Sequence, residues 1–294
     1  MTKWLLLSAY CLVLNTSAVS ADDIGVLVLA HGGSARWNRA VEVAVQQARL
    51  TQPTEVAFGM GMHEPEGQTI QHAVDQLQRR GIARLIVVPF LVSSSSEVLR
   101  QYQYLFGLRD HGPWEDHVKP LILHVPIVMT GAMDDGPLVA AVLAERAKDL
   151  SRKPEQETVM LVGHGPVSNE DNAQWLAMMD QLAQEIKAHA TFQAVIPVTL
   201  RDDASREVRE EAVDHMRNVV KTSSQHGRVL VVPLLLAEGG IEQKIPKALK
   251  GLRYVFRGKT LLPHPNLSQW IAQQVETATA LRSDASVPEL IVLK

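Results

Sequence analysis

The chain has 294 residues, 46% of them hydrophobic and 21% charged, with a net charge of −3. That is ordinary globular composition, long enough for one large or two medium domains. The balance excludes a broad basic field for nucleic acid. The one cysteine, Cys11, lies too early to give the body of the chain a disulfide, a thiolate metal site or a cysteine nucleophile.

Residues 1–21 read as a cleavable secretory signal. Lys3 gives a positive start, Trp4 opens a short apolar run to Leu14, and Val19, Ser20 and Ala21 are small residues for cleavage before Asp22. The run is too short to span a bilayer comfortably, so an N-terminal anchor ranks behind cleavage. The expected mature chain is periplasmic or secreted, with no stable membrane insertion.

The body then alternates short apolar strands with amphipathic helices. A strand over 25–30 carries the uninterrupted run Val26, Leu27, Val28, Leu29, as expected of a parallel strand covered on both faces, and ends in His31. A helix over 37–50 follows, then a strand over 54–58 and the loop GMGMHEPEG. A helix over 68–80 leads to a strand over 85–88, closed by Pro89. The stretch PFLVSSSSEVL places four serines and Glu97 at the head of another helix. A fourth strand is expected over 121–125 and a helix over 138–150. Polar residues 151–157, with Pro154, form the link between halves.

The second half repeats this order. Strands are expected over 159–163, 193–198 and 229–232, with helices over 173–188 and 206–221. A helix follows PLLLAEGGIEQKIP, and a last one covers 267–281. AHGG matches GHGP, and IVVPFLV matches LVVPLLL. The pattern predicts an α/β fold of two similar domains, 22–150 and 158–282, each a parallel sheet flanked by helices, with a tail over 283–294.

Parallel strands all end on one side of a sheet, where open α/β folds bind ligands. His31 is therefore expected to face the loop carrying Glu97, and His164 the loop carrying Glu238. Imidazole with carboxylate can hold a divalent metal or transfer protons near neutral pH. The alternative is a strand-end histidine bonded to nearby backbone, with Glu97 a helix-dipole partner and Ser93–Ser96 supplying N-caps. His63 and Glu64 lie in the second loop at the same edge, as further ligands or as solvated residues. The serine run lacks the glycine and lysine of a P-loop, so no nucleotide is expected. GHGPVS is not a nucleophile elbow. The run Arg201 to Asp203 reads as a helix cap.

The AHGGS start, the VVPFLVSSSSEVL stretch and the duplication resemble the class II tetrapyrrole chelatases of the sirohydrochlorin type, the CbiX/SirB group, and more distantly protoporphyrin ferrochelatase. The resemblance implies a pair of α/β domains with a tetrapyrrole between them. It also implies insertion of Co²⁺ or Fe²⁺ without ATP, in cobalamin or siroheme biosynthesis. It maps a metal and catalytic pair onto His31 and Glu97, with His63 as a further metal ligand and His164 with Glu238 as a possible second-half site. The group's second histidine falls at Ser95 here, and near Ile241 in the second half. Arg36 and Arg100 are rim cations for substrate carboxylates, or solvated arginines. One chain supplies both halves of the cleft, so a monomer suffices. A non-catalytic metal- or tetrapyrrole-binding protein on the same fold is the second reading.

Overall fold

The computed structural model describes residues 23–59 and 68–281. The continuous apolar runs become the centres of two parallel sheets. In the first half, β1 (Ile24–Ala30), β2 (Thr54–Phe58), β3 (Arg84–Pro89) and β4 (Ile127–Met129) lie in the order β2-β1-β3-β4. They are connected through α1 (Ala35–Ala48), α2 (Gln68–Arg79) and α3 (Glu97–Leu105), and α4 (Pro137–Lys148) follows β4. The second half has β5 (Glu157–Gly163), β6 (Ala194–Thr199) and β7 (Arg228–Leu234) in the order β6-β5-β7. Its helices are α5 (Asn169–His189), α6 (Arg206–Ser223), α7 (Ile241–Ala248) and α8 (Pro265–Ala280). A parallel bridge from Leu230 to Val255 takes the place that β4 holds in the first sheet.

Side chains alternate across each sheet, so each has two apolar faces. Leu27, Leu29, Leu85 and Val87 pack outward with residues of α2 and α3. Met160, Val162, Val229 and Val231 pack outward with residues of α6 and α7. The inner faces, Val26, Val28 and Val88 on one side and Val159, Leu161 and Val232 on the other, join one central core. That core is filled by α1, α4, α5 and α8.

The halves exchange their last helices. α4 packs on α5 and β7, whereas α8 packs on α1 and β3. Phe90, just past β3, stacks on Trp270 of α8, ring centroids 5.8 Å apart. Arg84 opens β3 and is 4% exposed. Its guanidinium donates to the carbonyls of Ala278, Thr279 and Leu281 at the end of α8, at 3.3, 3.3 and 2.9 Å. These are the orphan acceptors and negative pole of the helix. Arg228 opens β7 in the same register and donates to Leu150 O beyond α4 and to the Glu157 carboxylate. Among the described residues, no helix is long and apolar enough to cross a membrane.

The expected strand over 121–125 is corrected to β4 at Ile127–Met129. The alternation of Leu121, Leu123 and Val125 mimics a strand, but glutamines of α2 take its backbone instead of a ladder. Gln71 accepts from Ile122 N–H at 2.8 Å, and Gln78 accepts from His124 N–H at 2.6 Å. The expected signal over residues 1–21 and the expected tail over 283–294 lie outside the described residues.

Replacing Arg84 with alanine strands three carbonyls at a buried helix end. Arg84→Ala should lower stability by about 3 kcal/mol in urea unfolding. Arg80→Ala, which breaks an exposed pair with Glu55, should cost less than about 1 kcal/mol.

Candidate functional site

Both strand-end histidines are held the same way. β1 ends at Ala30, whose carbonyl accepts from Gly59 N–H at 2.9 Å and from the Tyr102 hydroxyl at 3.0 Å. Tyr102 is wholly buried, and burial pushes its phenol upward, so it stays a donor. The next residue, His31, is exposed, with Nδ1 2.9 Å from the Gly32 carbonyl. His164 repeats this with Nδ1 3.0 Å from the Gly165 carbonyl. A carbonyl only accepts, so Nδ1 carries the hydrogen and Nε2 keeps the lone pair in the neutral ring. Gly165 has φ +75°, and a Cβ there would meet Thr199 Cβ at 2.6 Å, so only glycine makes this turn without displacing its neighbours.

In the second half that Nε2 has a partner. Asp203 Oδ2 lies 3.5 Å from His164 Nε2. Arg201 builds this approach from a left-handed backbone, φ +52°. Its N–H donates to the His164 carbonyl at 2.7 Å. Its buried guanidinium holds the Pro166 and Val167 carbonyls and Asn169 Oδ1. Asp202 turns away to Lys244. With Nδ1 protonated, Nε2 and the carboxylate are two acceptors facing each other, which a proton or a cation between them satisfies. A metal about 2.1 Å from each, at a tetrahedral angle, would hold two such donor atoms about 3.4 Å apart.

The run 201–203 was expected as a helix cap. The cap of α6 is Ser205, whose hydroxyl accepts from Val208 N–H. Sequence reasoning missed Asp203, although its loop follows β6 as GMGMHEPEG follows β2, and so reaches the edge that carries His164.

The other expected residues are dispersed. Among the described residues, no hydrogen bond or ion pair joins His31 to Glu97. Glu97 is exposed in the first turn of α3, behind the N-cap Ser96, and its charge reinforces Arg100. Glu238 pairs with Arg36 of the first half at 2.5 Å, not with His164. His63 and Glu64 lie outside the described residues. Among the described residues, no group of three or more His, Cys, Asp and Glu side chains converges as a metal cage.

The four serines are engaged structurally. Ser93 Oγ accepts from Ser95 N–H, and Ser94 donates to Asp134 from both its N–H and its hydroxyl. Ser95 crosses to the second half: its hydroxyl donates to Gln174 Oε1, and its carbonyl accepts from Trp175 Nε1, both at 2.8 Å. Ser96 and Gly240 are both N-caps, so the counterpart of Ser95 is Gly239 rather than Ile241. Arg100 is no solvated arginine. It grips Asp171 of α5 bidentately, at 2.9 and 2.7 Å. That hydrogen bond holds the Asp171 carboxyl below the usual range, against the opposing effect of burial and with help from Ser168. A hollow of about 580 Å³ lined by Gln47, Arg49, Pro265 and Ser268 lies elsewhere. It sits at the far end of α1, about 20 Å from the His31 turn.

The profile of the family described as CbiX matches residues 25–150 and 158–278. The fold is similar to SirB from Bacillus subtilis, solved with Fe³⁺, with a TM-score of 0.62 at 18% identity, covering 87% of this chain and 96% of that one. It is also similar to DR2241 from Deinococcus radiodurans, described as a multi-domain protein with structural similarity to chelatases and two additional novel domains. There the TM-score is 0.52 at 18% identity, covering 88% of this chain and 55% of that one. No curated protein matches the chain by sequence.

The Arg100–Asp171 clamp gives a signed pH dependence. Because the folded carboxyl is depressed, its stabilisation is complete above the ordinary aspartate range and is lost as pH falls through the folded value. Asp171→Asn should be less stable than the parent by about 2 kcal/mol at neutral pH. Urea unfolding across pH should show that gap closing on the acid side of the ordinary aspartate range.

Proposed function

The chain belongs to the CbiX family of class II chelatases, and from that premise we propose that it inserts Co²⁺ or Fe²⁺ into a tetrapyrrole of the sirohydrochlorin type, without ATP. The observation that carries the site assignment is the 3.5 Å approach of Asp203 to His164 Nε2. His164 and Asp203 present the partly dehydrated metal, which is a substrate rather than a resident cofactor. Insertion releases two pyrrole protons. As the metal leaves, Nε2 regains its lone pair and accepts one of them, and the Asp203 carboxylate steadies the imidazolium. The second proton passes to solvent beside Asp203, whose side chain is exposed. Val167, 55% exposed three residues past His164, offers apolar surface to the face of the macrocycle.

His31 with Glu97, and His63 as a further ligand, is the first-half alternative. A binding protein without catalysis, on the same fold, is the second reading. Stopped Co²⁺ insertion into sirohydrochlorin, followed by the Soret band, separates these. His164→Ala should slow insertion by about 10²-fold or more, Asp203→Asn should also slow it, and His31→Ala should leave it largely intact. The reverse pattern would move the site to the first half. Micromolar ligand binding with no insertion by the parent chain would favour the binding protein.

We infer that residues 1–21 act as an export signal and that the protein works in the periplasm or outside. N-terminal sequencing of the exported protein should begin at Asp22. An uncleaved, cytoplasmic chain would refute that assignment.

A further inference from the structure

Among the described residues, two ion pairs join the halves at the carboxyl edges of the sheets, and they differ in kind. Arg100–Asp171 is bidentate, and the Asp171 side chain is 10% exposed. Arg36–Glu238 is a single contact, Nη2 to Oε2 at 2.5 Å, with side chains 80% and 40% exposed. The first is a built clamp. The second is held by little else, and exposed pairs of this kind exchange readily.

The weak pair lies at the sheet edges that carry the strand-end histidines. Arg36 is in the first turn of α1, five residues past His31. Glu238 lies in the loop after β7, and β7 is the neighbour of β5, which ends at His164. The pair therefore runs from the edge that carries one strand-end histidine to the edge that carries the other. Below it, Trp37 packs so closely on Gly239 that a Cβ there would lie 3.0 Å from the ring. The loop behind Glu238 is pinned by Glu242, whose carboxylate accepts from Gly239 and Gly240 N–H at 3.1 and 2.9 Å. The backbone on both sides is thus fixed while the two charged ends are free to part.

We propose that Arg36–Glu238 is a latch opened by ligand exchange. Arg36 leaves Glu238 and pairs with a peripheral carboxylate of the tetrapyrrole, while Glu238 repels acidic ligands that do not engage Arg36. This rests on the tetrapyrrole reading above. The substrate carboxylate is chemically the same acceptor as Glu238, so the exchange trades one ion pair for another. Charges at a rim act on capture and on its salt dependence.

Binding of uroporphyrin, a metal-free octacarboxylate, and of the dicarboxylate deuteroporphyrin to the full chain tests this by fluorescence titration. Arg36→Gln should weaken uroporphyrin binding about three- to fivefold, and Glu238→Gln should tighten it by a similar factor. Both effects should be smaller for deuteroporphyrin and should shrink with added salt. A merely structural pair would give both variants the same sign, because either one breaks it. Equal signs, or no change, with the parent chain binding uroporphyrin, would overturn the latch alone. Failure of the parent chain to bind either porphyrin would overturn the tetrapyrrole reading, and the latch with it.

Discussion

The exchange of last helices is the constraint from which the rest of the structure follows. A parallel sheet with two apolar faces needs cover on both. Here each half completes its inner cover with the other half's final helix, α8 on β3 and α4 on β7. Arg84 and Arg228 anchor these crossings from equivalent places at the starts of β3 and β7. A cation at a helix C-terminus meets both the unpaired carbonyls and the dipole. The two halves therefore share a core layer rather than meeting as two finished domains. That sharing sets where the loops at one sheet's carboxyl edge stand against those of the other.

The seam consumes residues that the resemblance would assign to chemistry. Ser95 occupies the position expected of a second histidine, and it is bonded to Gln174 and Trp175 of the opposite half. Its counterpart Gly239 packs on Trp37 of the first half. In both halves, then, the same loop position meets a tryptophan from the other half's first helix. The pseudo-symmetry is structural at these positions. It breaks at Glu238, which reaches across to Arg36, and in the loop after β6, where Asp203 approaches His164.

The parts of this arrangement that were legible in the sequence are those set by local pattern. Four successive apolar residues before His31 mark a buried strand, and the return of the phrase at His164 marks the duplication. Glu97 behind a serine cap is equally local, and its helix-end reading describes where it sits. β4 was hidden because 121–125 alternates as a strand does, while its backbone is satisfied by Gln71 and Gln78 from a distant helix. Asp203 was hidden because its placement depends on Arg201 in a left-handed conformation, rare for a residue with a Cβ. The partners of Arg36 and Arg100 depend on how the halves cross, which no periodicity within either half encodes.

A two-donor site suits the metal transfer proposed above better than a fuller cage would. A chelatase has to release its metal into the macrocycle, so affinity that persists equally before and after transfer does not lower the barrier. Imidazole with one carboxylate is a weaker transition-metal site than one with a second imidazole, and it leaves coordination positions open to pyrrole nitrogens. The Nδ1–H bond to Gly165 keeps the ring in one tautomer throughout. In the proposed transfer, the lone pair that would hold the metal is the one uncovered as the metal leaves, beside a carboxylate ready to stabilise its protonation. With the second ligand position spent on the seam between halves, that proposal puts metal donor and proton acceptor in the same pair of side chains.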